Sequence, residues 1–198
     1  MPYSDNNSPS AHSNLKDYKP TETTRWEKEP QIEEIIRFSD CDPFGHLNNS
    51  RYLDYFMNAR DFHLKNAYQV DLTTYSLKHE ENWLVKDHRI AYLKPAKPKE
   101  AILLRSRLLH FTENETLVES IMLSQNEKQF KSLLWTHFSY VNLKSGRKAR
   151  HPDYIMDILK ATQMDAPEYP QKDFEGRIKT VLGEIRAKFL KKSKTILI

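Results

Sequence analysis

Cysteine is nearly missing from this sequence: one, Cys41, in 198 residues. An internal disulfide is therefore excluded, and so is a cysteine-built structural zinc site. Glycine is almost as scarce, at 4 residues, which leaves little material for a loop that cradles phosphates. No apolar run approaches the roughly 20 residues that span a bilayer. The first thirty residues carry no apolar core of a secretory signal, and their acids with a single Arg25 argue against a transit peptide. A cytoplasmic protein without an integral membrane segment is expected. Neither sign of charge dominates: 31 basic against 27 acidic residues leave +4. That intermixed balance suits a small anionic ligand rather than nucleic acid.

What is present is the composition of a globular domain, with 38% hydrophobic and 29% charged residues. Residues 1–30, rich in Ser, Asn, Pro and Thr, read as a disordered or loosely docked arm. Order is expected from Gln31, with a first strand through Phe38. Tyr52, Tyr55, Phe56, Ala59 and His63 recur at helical spacing, and Leu53, Phe62 and Leu64 widen the stripe, so this helix should be buried against a sheet. A polar loop is expected from there to about Asn82. Strands follow at Trp83–Leu93, Ala101–Phe111, Thr116–Leu123 and Phe130–Leu143, the last three as a meander with short turns. In the first of these, the period of two sets Leu84, His88, Ile90 and Tyr92 on one side. Pro152 can open a short helix. Residues 165–172 read as a linker, and Phe174, Ile178, Val181, Leu182, Ile185 and Phe189 form the stripe of a C-terminal helix. The expected class is α+β, a long helix on a curved antiparallel sheet. Residues 31–164 form the domain, and 165–198 the linker and helix.

The segment Asp40-Cys41-Asp42-Pro43-Phe44-Gly45-His46-Leu47-Asn48-Asn49 concentrates the chemistry. Its opening has the acid spacing of a calcium loop, but Phe44 and Arg51 stand where ligands are needed, so a calcium site is rejected. A strand ends, a turn offers two carboxylates and a histidine, and a helix begins. Unpaired N–H groups at a helix start can hold an oxyanion. A carboxylate just before it can act as nucleophile or general base. A thioester suits such a site, because thiolate leaves with little acid assistance.

The same segment resembles the signature of hotdog-fold thioesterases related to 4-hydroxybenzoyl-CoA thioesterase. Asp40-Cys41-Asp42-Pro43 is similar to that branch, and Gly45-His46-Leu47-Asn48-Asn49 to the acyl-CoA and acyl-carrier-protein thioesterases. The order of elements agrees from about Gln31 to Leu159, including Tyr92-Leu93-Lys94-Pro95-Ala96. The resemblance implies a hotdog fold and an acyl-CoA or acyl-carrier thioester hydrolase acting in lipid metabolism. It also implies no cofactor, no metal, and assembly as a homodimer or homotetramer. By it, Asp42 is the catalytic carboxylate, His46 an active-site histidine, and Asn49 the source of an oxyanion-binding N–H. Phe44 stands where the acyl-carrier branch has an active-site Asn, which favours chemistry centred on Asp42.

Each assignment has a structural alternative. Asp42 and Asp40 could only brace the turn, and His46 could bond the turn to a strand. Asn48, Tyr52, Lys94 and Lys97 are the candidate substrate contacts. Helix capping is the alternative for Asn48, core packing for Tyr52 and solvated loops for the lysines. His88 and His137 read as satisfied core histidines, and Cys41 as a packing residue whose thiol two flanking acids discourage. The competing function is an acyl-CoA binder or regulator without turnover.

Overall fold

The structure, a computed structural model, describes residues 26–164 and 174–195. The chain enters through β1 (Gln31–Ile35), passes two short 3-10 turns, Phe38–Asp40 and Asn49–Arg51, and forms α1 (Tyr52–Tyr68) and α2 (Leu72–His79). Four strands follow: β2 (Glu81–Tyr92), β3 (Ala101–Phe111), β4 (Glu115–Ser124) and β5 (Phe130–Asn142). Two helices close the chain, α3 (Asp153–Thr162) and α4 (Phe174–Thr195). The strands form one antiparallel sheet in the order β1-β3-β4-β5-β2, so β1 and β2 are its edges. The expected arm lies mostly outside the described residues, as does the linker at 165–172.

The apolar stripe of α1 explains where it sits. Tyr52, Tyr55, Phe56 and Ala59 pack on Ile102, Leu104, Met122 and Leu134 of the inner sheet face. Phe62, expected in the buried sector, is 43% exposed, so α1 is one-sided rather than enveloped. Beyond Ala59 the inner face becomes smaller and more polar, with Ser106, Ser120 and Thr136 all buried. His63 lies there, 3% exposed, with its Nδ1 2.9 Å from the Ser106 hydroxyl.

Burial lowers the His63 pKa from 6.5 to about 4, because a low-dielectric site disfavours the imidazolium. Below pH 6.5 the unfolded chain takes up a proton that the native state refuses, so stability should fall as pH drops from 6.5 toward 4. It is fully present above that window. A gap of this size corresponds to about 3 kcal/mol at the acid end. Urea midpoints at pH 7 and pH 5 should differ less for His63→Phe than for the wild type. Equal pH dependence in both would contradict the assignment.

Three sequence expectations are corrected. The polar loop before Asn82 contains α2. Asp71 caps it by accepting the Thr74 N–H at 2.9 Å, and Tyr75, fully buried, is its one buried side chain. One buried residue in eight leaves no periodicity to read. Asp71→Ala should cost about 1 kcal/mol, visible as a lower denaturant midpoint with an unchanged slope. A β-bulge between Val85 and Asp87 also shifts the phase of β2 by one residue. Trp83 and Val85 therefore share a face with His88 and Ile90, and Leu84 lies on the other. Finally, His137 is not in the core: it is half-exposed and bonded to Asp87 at 2.6 Å. His88 is exposed too, although its Nδ1 lies 2.9 Å from the buried Thr136 hydroxyl.

The outer sheet face is covered by α4. Phe174, Ile178 and Val181 pack on Leu103, Leu117, Ile121, Leu133 and Trp135. Between them lies Glu119, fully buried, which accepts hydrogen bonds from Arg177 Nε and Nη2 at 2.8 Å each and from Trp135 Nε1 at 3.1 Å. Arg107 stands 3.5 Å from the same carboxylate and also pairs with Glu184 and Glu29.

Candidate active site

The site is built on a tight reversal between β1 and α1. Cys41 and Leu47 face each other as an isolated antiparallel bridge, and the five residues between them form the turn. Gly45 donates its N–H to the Asp42 carbonyl at 3.0 Å, with Pro43 in the second position, where its fixed φ fits. Gly45 has φ +76, a left-handed conformation that glycine adopts without a Cβ penalty. The Asp42 N–H donates to the His46 carbonyl at 2.8 Å, closing the loop.

This folding turns the Asp42 side chain back over the loop. Its Oδ1 accepts the N–H groups of Phe44 at 3.0 Å and His46 at 3.1 Å. Its Oδ2 accepts no hydrogen bond from any described residue. Asp42 is half-buried. The carboxylate is thus oriented through one oxygen and open at the other. Asp40 differs, because its Oδ2 accepts the Tyr55 hydroxyl at 2.9 Å and its carbonyl accepts the Asn48 N–H at 3.0 Å. Asp40 therefore ties the turn to α1. The Phe44 ring, at the tip, is 85% exposed.

The helix start is equally well fixed. Asn48 Oδ1 accepts from the Ser50 N–H at 3.0 Å and the Ser50 hydroxyl at 2.9 Å, capping the single 3-10 turn Asn49–Arg51 that runs into α1. With Ser50 and Arg51 N–H groups both bonded to Asn48, the Asn49 N–H is left without an acceptor among the described residues. The Asn49 carbonyl accepts the Tyr92 hydroxyl at 3.1 Å, which joins the edge strand β2 to the site.

Sequence reasoning did not foresee how the turn after β2 supports this arrangement. The Ala96 carbonyl accepts the Leu47 N–H at 2.8 Å, and the Ala96 N–H donates to the Tyr52 hydroxyl at 3.2 Å. Lys131, almost completely buried, donates to the Pro95 carbonyl at 3.0 Å and pairs with Glu100 at 2.8 Å. No local pattern in the sequence marks this support. Lys94 and Lys97, on this turn, are exposed and form no ion pair among the described residues.

Asp42, His46, Asn48 and Asn49 thus come together on one turn and helix start, with Lys94 and Lys97 on the neighbouring turn. His46 is half-buried, and its imidazole bonds no described residue. Tyr52 is 2% exposed and lies in the core, its hydroxyl spent on Ala96. The Cys41 thiol is pushed up by burial first and then by Asp40 and Asp42, which keeps it from acting as a thiolate. Among the described residues no three His, Cys, Asp or Glu side chains form a metal site, and no helix is long and apolar enough to cross a membrane.

Residues 36–159 match the family model of the thioesterase-like superfamily. Among curated proteins none matches the chain. Solved structures do. A probable thioesterase from Escherichia coli is 21% identical, with a TM-score of 0.58 over 68% of this chain and 98% of that one. A 1,4-dihydroxy-2-naphthoyl-CoA thioesterase from Synechocystis is 15% identical, with a TM-score of 0.62 over 70% and 99%. A probable thioesterase from Bartonella henselae is 17% identical, with a TM-score of 0.58 over 63% and 99%. The residues matched by the family model include the Asp42 turn, α1 and the strands β2 to β5. This chain is a hotdog-fold protein and belongs to the thioesterase-like superfamily.

Proposed function

We propose that this protein hydrolyses an acyl thioester, carried by coenzyme A or by an acyl carrier protein, to a free carboxylic acid and a thiol. The observation that carries the reading is the Asp42 carboxylate, held through Oδ1 by two backbone N–H groups and open at Oδ2. The unpaired Asn49 N–H at the helix start is the donor for the carbonyl oxygen as it becomes an oxyanion. Two routes use the open oxygen. As nucleophile, Oδ2 attacks the carbonyl carbon, the thiolate leaves, and water then cleaves the mixed anhydride. As general base, it takes a proton from a water that attacks directly. His46, beside this carboxylate, orients water or substrate. Asn48 holds the helix start in place, Tyr52 fixes the Ala96 turn, and Lys94 and Lys97 offer charge to the carrier's phosphates.

A homodimer or homotetramer in the cytoplasm is the setting proposed. The unpaired edge of β2, with Leu84, Val85 and Tyr92 exposed, supports self-association, while α4 already covers the outer sheet face. Thiol release from short, long and aromatic acyl-CoAs, and from an acyl carrier thioester, tests the reading. Turnover is expected on at least one member of the panel. Saturable acyl-CoA binding with no turnover on any of them would favour a binding or regulatory protein instead.

A further inference from the structure

The second half of α1 stands over the small side chains of the inner sheet face, and α3 closes the space from the side. The result is a cavity of about 90 Å³. Leu64, Leu108, Val118, Ile155 and Ile158 are among the apolar residues of its wall. Among the polar residues of that lining, which include Ser106, Arg107, Thr116 and Thr162, Arg60 and His63 are three residues apart and so on one face of the helix. The Arg60 guanidinium lies 4.0 Å above the Phe138 ring and pairs with no carboxylate among the described residues. His63 spends Nδ1 on Ser106, while its Nε2 is buried with no hydrogen-bond partner. Arg60 lies eight residues beyond the first residue of α1, about 12 Å along the axis, so the cavity is separate from the Asp42 turn.

We propose that this cavity is a second binding site, for a short-chain carboxylate. Its alkyl part fills the apolar space, and its carboxylate accepts hydrogen bonds from Arg60 and from His63 Nε2. The donor pattern decides the ligand class. Arg is always a donor and carries a positive charge. Burial favours the neutral His63 imidazole; to hold such a ligand its proton is on Nε2, and the Ser106 hydroxyl, 2.9 Å away, donates to Nδ1. Two donors on one helix face, one of them charged, match an anion with two oxygens. The apolar walls require a hydrocarbon attached to it. The volume, well under the roughly 150 Å³ of a cavity that takes benzene, selects a chain of a few carbons over an aromatic ring. Recognition here does not depend on thioester hydrolysis, although hydrolysis would release ligands of this class.

Calorimetric titration of the full chain with butyrate, against 1-butanol and butylamine, tests the site. Butyrate should bind saturably and the two controls should not. Arg60→Met and His63→Phe should each weaken binding at least tenfold, whereas Asp42→Asn should leave it unchanged. Should either cavity variant fail to fold, the ¹⁵N resonance of His63 Nε2 in the wild type gives the same answer, since butyrate should shift it and 1-butanol should not. Equal binding of 1-butanol, undiminished binding by both variants, or no heat and no shift with butyrate would each overturn the proposal. Binding is read without turnover, so an inactive protein that binds butyrate contradicts the hydrolase reading alone.

Discussion

Asp42→Asn should lower kcat for thioester hydrolysis by about 10²- to 10⁴-fold, the range contributed by a positioned general base, with little effect on stability. The substitution separates the two roles of this side chain. An Asn side-chain oxygen can still accept the Phe44 and His46 N–H groups that Oδ1 accepts now, so the turn survives. What disappears is the negative charge on the open oxygen, and with it the capacity to attack a carbonyl or deprotonate water. A purely bracing Asp42 would lose nothing. The comparison to make is kcat, KM and urea midpoint together. A large fall in kcat at constant midpoint supports the chemical role, and unchanged kcat removes it. His46→Ala beside it should reduce kcat less, because His46 orients and does not itself form or break a bond in either route.

The largest stability loss is expected at Glu119. Its carboxylate is fully buried between the sheet and α4, holding Arg177 through two bonds and Trp135 through one, with Arg107 close by. Glu119→Ala removes the counter-charge and leaves the Arg177 guanidinium facing an apolar space. Breaking one side of such a pair costs about 3–5 kcal/mol. Arg177 keeps Glu184, and Arg107 keeps Glu184 and Glu29, so the loss should sit at the lower end. It should also be local: amide exchange in α4 should accelerate before that of β3 and β4, because this row holds α4 to the sheet together with Phe174, Ile178 and Val181. A midpoint shift under about 1 kcal/mol would mean that these ions remain solvated. Replacing Glu119 and Arg177 together by Met should recover much of the loss, since a buried pair and a hydrophobic substitute are often close in stability.

The sequence was most legible where one residue's neighbours repeat a pattern. The strands β3, β4 and β5 are long, and the stripe of α1 from Tyr52 to His63 repeats through about three turns, so both were expected close to where they lie. Helix α2 was missed because Tyr75 is its one buried residue, Leu72 is only partly buried against the same cluster, and Leu77 is exposed to solvent. The register of β2 was misread because a bulge at Lys86 is one extra residue, and nothing in the local composition marks it. At the site, the Asp42-to-Asn49 segment could be read because its members are neighbours in sequence. The supports could not. Tyr92 on Asn49, Ala96 on Leu47 and Lys131 under Pro95 join residues that are between 36 and 49 positions apart, and such contacts leave no local trace. The Glu119 row was illegible for the same reason, since its partners come from β3, β5 and α4.

Hydrolysis at the Asp42 turn is tested most directly by quantifying free thiol and free acid from one acyl-CoA, in wild type and Asp42→Asn side by side. Equal amounts of acid and thiol from the wild type, with both products falling together by at least a hundredfold in the variant, are expected. Acid and thiol release that persists in a folded Asp42→Asn protein would contradict the assignment of the reaction to this carboxylate.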